Sequence, residues 1–556
     1  MAATNHPRKQ CLPPPWARRG KLRLAHVPGG PAETARMILA GEWDDSPAPL
    51  LSAARYCPEL VGELVGKGIN AVALTWSPGF PHESDQAQWD LILRLLPLLK
   101  KKRIKAIARI AVDNASPALA AHVPEAQLLP TQPSPADERT TGVPPVSPSP
   151  CGRGQGEGGG TGCQPVNPEA SGPMPRRFFR MDICETRWRE YVTHKVRKAV
   201  EAGFDGLFFE GAASHHEAAA FLMELRAEAR ARRPADAPEL LFYAPGWCSP
   251  NLDEICNLKF IQTGSVVGRS SGSPGDPEDR PTSDTTAGPA SSTNVPLLKL
   301  AFEQGGRDKP FVAQVAAGAL TDKQRRLAVA EIMAAGGTCA ALDLPGDYGA
   351  FQQDCSGLFG PSDPVNTIGV IVEDAAASGF ARPLPYLDAL VRANIQFDMI
   401  PLTRFEQFDF RKYKLLIAAG LSPGPAREPL DKALNLFVNE HGGTTYLSPS
   451  PGREEFEASV IQGIPAAAGP QPVAVEAPEG VIALLWGKGT RRWVHLLNYR
   501  DEPCDASITL PGCGGRKVNA YSPDEATLTL RILEAGPACV SFLLSGIQTY
   551  AVAEVV

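Results

Sequence analysis

The sequence has no long apolar run, no excess of positive charge and no paired cysteine motif, and each absence removes a class of function. No stretch approaches the ~18–20 uninterrupted apolar residues of a membrane helix. Met1 to Leu24 is polar, basic and proline-bearing, without the apolar core of a signal peptide. A cytoplasmic protein with no membrane partner is expected. The net charge is −6, from 55 basic and 61 acidic residues, so there is no general positive field for nucleic acid. Lys100-Lys101-Lys102-Arg103 reads as the solvated end of a helix. The 12 cysteines run from Cys11 to Cys539 without a CxxC pair, which points away from a zinc site and from a disulfide framework. His215 and His216 are adjacent and cannot easily face one ion, so no metal and no other cofactor is expected.

The 556 residues, 43% of them hydrophobic, leave room for several domains with real cores. One stretch organises the first of them: Ala202-Gly203-Phe204-Asp205-Gly206-Leu207-Phe208-Phe209-Glu210-Gly211. Trp188 to Val200 before it has the spacing of an amphipathic helix, and Gly203 supplies the turn that stops it. A short apolar run without alternation marks a strand of a parallel sheet covered on both faces, and such strands release functional groups at their carboxyl ends. Glu210 stands there.

The same helix-and-strand rhythm recurs before and after it. Strands are predicted at Leu22–Val27, Ile69–Trp76, Ile104–Ile110, Phe204–Glu210, Leu240–Ala244, Leu258–Gln262, Phe311–Val315 and Cys339–Leu344, with helices between them. Eight such units are the pattern of a TIM (β/α)8 barrel over residues 21–365. Residues 1–20, and two Pro/Gly/Ser-rich segments at 131–175 and 268–294, cannot bury enough apolar surface to offset their ordering entropy and are expected to be disordered. From about Asn366 the pattern restarts as a small doubly wound α/β domain, 366–465. After Leu416-Ile417-Ala418-Ala419-Gly420 it has no Cys and no GxSxG elbow, so an assembly role is expected of it. Short alternating runs from 470 to 556 predict a β-sandwich.

These residues carry a resemblance. The order of barrel, catalytically silent flavodoxin-like or class I amidotransferase-like α/β domain and β-sandwich resembles β-galactosidases with a trimerisation domain. It is similar also to glycoside-hydrolase-like barrel families near the α-amylase and α-fucosidase clans. The marks are "GFDGLFFEG" (Gly203 to Gly211), "AEIMAAGGTCAALDLPGD" (Ala330 to Asp347), "WVHLLNYRDEP" (Trp493 to Pro503) and "AYSPDE" (Ala520 to Glu525). In such families the position of Glu210 is usually an Asp, taken as nucleophile or stabiliser. The resemblance implies a carbohydrate substrate and a homo-oligomer formed through the middle domain.

Glycoside cleavage needs two carboxylates across the scissile bond, ~5 to 9.5 Å apart. Glu210 therefore needs a partner. Asp343 at the eighth strand, opposite the fourth in a closed barrel, is preferred, and Asp113 just past the third strand is the other candidate. Trp76, Arg109, His215, Tyr243, Trp247, Gln262 and Gln314 fall at or just after predicted strand ends, where aromatic platforms and hydrogen-bonding groups would bind sugar. Two readings stay open: a glycoside hydrolase, and a catalytically degenerate barrel that binds carbohydrate or assembles. Gln262 and Gln314 favour the second, because an acid would often stand at those strand ends.

Overall fold

The computed structural model describes residues 13–18, 21–27, 56–127, 179–211, 218–234, 236–237, 239–244, 256–263, 293–305, 309–315, 320–340, 345, 348–360, 362–374, 383–419, 421, 427–448, 456, 460–524 and 527–556. Segment 131–175 and most of 268–294 lie outside them. The last two residues of the second segment, Thr293 and Asn294, are buried and bound by hydrogen bonds to Asp388 and Glu331. The boundary of that segment is corrected accordingly.

The first part of the chain alternates strand and helix: β1 (Leu24–Val27), α1 (Pro58–Gly66), β2 (Ala71–Ser77), α2 (His82–Lys101), β3 (Lys105–Ala111), α3 (Thr186–Ala202), β4 (Gly206–Glu210), α4 (Ala218–Ala231), β5 (Leu241–Tyr243), β6 (Lys259–Thr263), α5 (Val295–Gly305), β7 (Phe311–Val315), α6 (Asp322–Ala334) and β8 (Thr338–Cys339). Local chemistry explains the ends of several helices. Trp188, Val192, Val196 and Ala199 place one apolar stripe of α3 in the core, and Gly203 closes the helix at φ 84°, which favours glycine. Thr321 and Gln324 form a reciprocal capping box at the start of α6.

The strands form two parallel sheets, one in the order β1-β2-β3-β4-β5 and one in the order β8-β7-β6. Alternate side chains of both converge on one apolar cluster: Leu24, Ala73, Ile107, Phe208, Tyr243, Phe260, Val312 and Ala340 belong to it. Val72, Leu74, Leu207, Phe209 and Phe242 point the other way, into the layer between strands and helices. Among the described residues the ladder is not continuous around eight strands. Side chains stitch the arcs instead: Asn257, before β6, accepts from Phe242 N and donates to Leu240 O (2.8 and 2.7 Å), and Thr338 Oγ1 donates to Leu22 O (3.2 Å). The sequence places a strand over Cys339–Leu344, whereas the described strand is Thr338–Cys339.

The expectation of a disordered terminus fails at residues 13–18. Pro15–Ala17 forms a short 3-10 helix, and Ala17 and Leu22 belong to the inward cluster, with Trp16 packed against it. Burial of these three side chains supplies what the local composition lacks.

The chain continues through β9 (Asp363–Pro364), β10 (Ile368–Val372), α7 (Leu384–Arg392), β11 (Asp398–Pro401), β12 (Leu415–Ala419), α8 (Arg427–His441) and β13 (Thr444–Ser448). Strands β11-β10-β12-β13 make a parallel sheet in that order. The last strands are β14 (Ala474–Glu476), β15 (Val481–Lys488), β16 (Arg491–Asn498), β17 (Cys504–Pro511), β18 (Val518–Tyr521), β19 (Thr529–Ala535), β20 (Cys539–Ile547) and β21 (Tyr550–Val555). They form antiparallel sheets in the orders β9-β15-β16-β21-β18 and β14-β17-β20-β19, with an apolar cluster drawn from both. Strand β9, expected at the end of the barrel, is therefore an edge of a C-terminal sheet. One cluster joins β7, α5 and α6 to β10, β11 and β12 and to β15, β16 and β21. Trp486 Nε1 donates to Ala334 O (2.7 Å) and Gln396 Nε2 to Ala483 O (2.9 Å) across these joins.

Candidate active site

Alternation along the inward face decides what reaches the carboxyl ends of the strands. Above Ala73 comes Thr75, above Ile107 comes Arg109, and above Phe208 comes Glu210. In the register of β3 and β4, Arg109 is level with Phe208, and Ala111 with Glu210. Arg109 thus starts two residues, ~7 Å, below its neighbour, a rise that an extended arginine spans. Its fork closes on the carboxylate: Nε donates to Oε2 (2.8 Å) and Nη2 to Oε1 (2.6 Å). Two parallel charge-assisted bonds fix the plane of Glu210 as one bond could not. The pair is only partly covered, with side chains 14% and 26% exposed.

Asp113 stands next to it. Its carboxyl is buried, accepts from Asn114 Nδ2 (2.7 Å), and lies against the backbone of Gly211. A Cβ on Gly211 would fall 1.6 Å from Asp113 Oδ1. Gly211 also has φ +85°, so the residue after Glu210 is glycine for two independent reasons. The Asp113 carbonyl accepts from Met181 N (2.7 Å), and a two-residue bridge of Asn114–Ala115 with Phe179–Arg180 ties the loop after β3 to the approach of α3.

Beneath the fork lies a buried aromatic layer. His26, on β1, is stacked on Phe260 (4.9 Å between ring centres, 5° between planes) and meets Tyr243 Oη through Nε2 (3.1 Å). Burial, and then the Arg109 cation, hold the imidazole far below its ordinary range, at about 3, against the opposing pull of Glu210. Burial likewise pushes the Tyr243 phenol well above its usual value. The two form a neutral polar pair within the sheet interior. The hydroxyl of Thr75 is also buried and makes no hydrogen bond among the described residues.

Several expected sugar contacts move. Trp76 is in the outer layer, stacked on Trp89 (4.6 Å), with its Nε1 donating to Lys195 O (3.2 Å). It is 2% exposed and packs between strand and helix, so it offers no platform. Tyr243 is inward but fully covered under Phe208 and Phe260, which removes its face from any ligand. Gln314 is inward and half-buried at the end of β7, level with Gln262 on β6. Asp343, His215, Trp247 and the side chain of Gln262 lie outside the described residues. His26 escaped sequence reasoning, although its alternation with inward Leu24 is the signal that would have marked it. Among the described residues no group of three His, Cys, Asp or Glu side chains is placed to hold a metal ion. Among them, too, no helix is long and apolar enough to cross a membrane.

No protein-family model matches the sequence, and no curated protein matches it. Solved structures do. The chain is similar to a catalytic mutant of a GH42 β-galactosidase from G. stearothermophilus, at a TM-score of 0.56 and 10% identity over 96% of this chain and 98% of that one. It is similar to the β-galactosidase from Rahnella (TM-score 0.52, 10% identity, 96% and 98% covered) and to that from Bacillus circulans sp. alkalophilus (0.51, 10%, 97% and 100%). The chain has the fold of these glycoside hydrolases. At such identities the likeness concerns the fold, and chemistry has to be argued from the residues themselves.

Proposed function

We propose that the chain is a glycoside hydrolase that cleaves an oligosaccharide or glycoside with carboxylate assistance, and that the two parallel arcs are parts of one (β/α)8 barrel. The observation that carries this reading is the Arg109–Glu210 fork at the carboxyl end of β4, with Asp113 against the next residue. In the proposal Glu210 is the anion facing the developing oxocarbenium charge, and Arg109 orients it. The acid partner is either Asp343, preferred from the sequence, or Asp113, which lies against Gly211. The barrel spans 21–365 apart from the β9 edge, followed by the α/β unit 366–465 and the sandwich 470–556. Self-association through the α/β unit belongs to the same proposal. Leu436, Val438 and Leu447, on α8 and edge strand β13, are exposed by 40% or more.

A screen of aryl glycosides tests the chemistry. Glu210→Gln keeps size but removes the charge and turns one of the two acceptors facing Arg109 into a donor, so turnover falls by several orders of magnitude, while the fold loses about 1.5–3 kcal/mol, the worth of one charge-assisted bond. Asp113→Asn and Asp343→Asn then identify the acid. Activity that survives Glu210→Gln overturns the assignment. One observation favours a second reading, a binding protein on a degenerate barrel: both oxygens of Glu210 are already engaged by Arg109. Absence of turnover on every glycoside, with saturable sugar binding, selects it.

A further inference from the structure

The smaller C-terminal sheet ends in a strand that little else covers. Strand β19 pairs with β20 on one side and, among the described residues, with no strand on the other. Six of its seven residues are exposed, and Ile532 and Leu533 keep 45% and 47% of their surface open. Such an edge holds a row of backbone N–H and C=O groups directed away from its own sheet, which water or another strand must satisfy.

The register with β20 fixes which way the side chains face. Leu530 stands opposite Leu544, Ile532 opposite Phe542 and Ala535 opposite Val540. These partners on β20 are buried in the apolar cluster of the two sheets, so Leu530, Ile532 and Ala535 lie on the core face. Arg531, opposite Leu543, and Glu534, opposite Ser541, lie on the outer face. In a regular strand, residues three apart point to opposite faces. The bulge between Ile532 and Glu534 brings these two onto one face. Arg531 and Glu534 make no ion pair among the described residues, and Glu534 accepts from the Cys539 thiol.

We infer that β19 pairs with β19 of a second copy of this chain, antiparallel about a two-fold axis between Ile532 and Leu533. In that register Arg531 of each copy faces Glu534 of the other on the outer face, and Leu530 faces Ala535 on the core face. Charge and apolarity therefore match twice over. A slip of one residue sets Arg531 against Leu533 or Ala535 and loses both matches. A bulge turns an edge away from a straight strand, whereas a second copy brings the same bulge to the same place, which selects this chain as the occupant. Ile532 and Leu533 are then covered by their twins, and the two four-stranded sheets become one of eight strands. The contact uses no residue of α8 or β13, so it is independent of the association proposed there and of the glycosidase reading.

Sedimentation equilibrium of the full chain over a wide concentration range tests it, in wild type and in Leu436→Asp, which disables the α8 surface. A dimer is expected to persist in Leu436→Asp. Adding Arg531→Glu sets like charges opposite each other at two places and should weaken that dimer roughly tenfold or more. Adding Glu534→Arg as well exchanges the charges and should restore affinity to within about threefold. Melting curves should stay unchanged, because both side chains are exposed. A monomer at every concentration in Leu436→Asp overturns the inference and leaves the α8 surface as the only contact. Equal association with and without Arg531→Glu, or a charge exchange that fails to restore the dimer, overturns it too.

Discussion

Replacing Lys195 by methionine isolates the cost of a charge buried without its partner. Lys195 Nζ lies 3.0 Å from Asp85 Oδ2, and neither side chain is exposed at all. The ammonium also sits over the rings of Trp89 and Tyr191 (4.7 and 4.8 Å to their centres), and Ser77 Oγ donates to the same carboxylate oxygen (2.8 Å). Removing one member of such a pair costs about 3–5 kcal/mol, because the remaining ion keeps its desolvation penalty. Burial already raises Asp85 to about 6, even beside Lys195 and Ser77. A carboxyl whose folded value is raised destabilises the fold when ionised, and the penalty fades as pH falls from about 6 towards the unfolded value. Without Lys195 the folded value rises further, because the cation that lowered it is gone. Each pH unit of that rise adds about 1.4 kcal/mol of linkage, so between pH 7 and pH 5 the variant recovers more stability than the wild type. Urea unfolding of both proteins at the two pH values measures this. The double variant Lys195→Met/Asp85→Leu, which removes both charges, should return to within about 2 kcal/mol of wild type. A Lys195→Met loss below about 1 kcal/mol, equal at both pH values, refutes the reasoning.

Three further outcomes are expected. Gly211→Ala forces a Cβ into the Asp113 carboxyl at a left-handed φ, so it should cost about 1–3 kcal/mol in a thermal melt and lower any glycosidase activity with it. Arg109→Lys keeps the charge but loses the fork, and should lower turnover on aryl glycosides while shifting stability by no more than about 1 kcal/mol. His26 and His495 are both held by burial at about 3. The unfolded chain binds their protons first, so stability drops as pH falls below about 6.5, by about 1.4 kcal/mol per unit for each histidine. Urea midpoints between pH 6.5 and 4.5 should show a shallower slope in His26→Gln/His495→Gln, after allowance for Asp85, which acts in the opposite sense below about 6.

The parallel-sheet plan was legible because buried strands and amphipathic helices differ in period, and Phe311–Val315 coincides with its predicted span. The direction of individual side chains was not. Ala71-Val72-Ala73-Leu74-Thr75-Trp76 is apolar on both faces, so nothing in the order of residues says that Trp76 points outward. Arg109 and Glu210 were each singled out, but their union depends on the register of β3 against β4, which composition does not encode. Residues 13–18 and the pairing of Asp363–Pro364 are held by contacts distant in sequence, which no local window contains.

The pairing of Asp363 with Gly487 and of Pro364 with Trp486 has a consequence for synthesis. When Asp363 leaves the ribosome, the strand it must join follows more than a hundred residues behind it. At ~5–20 residues per second that is a wait of roughly 6–25 seconds. Throughout this time the connection between the first two parts of the chain has an unsatisfied edge, and the C-terminal sheet closes it only when β15 arrives. A nascent chain stalled before Val481 therefore presents that edge to chaperones, whereas one that is complete does not.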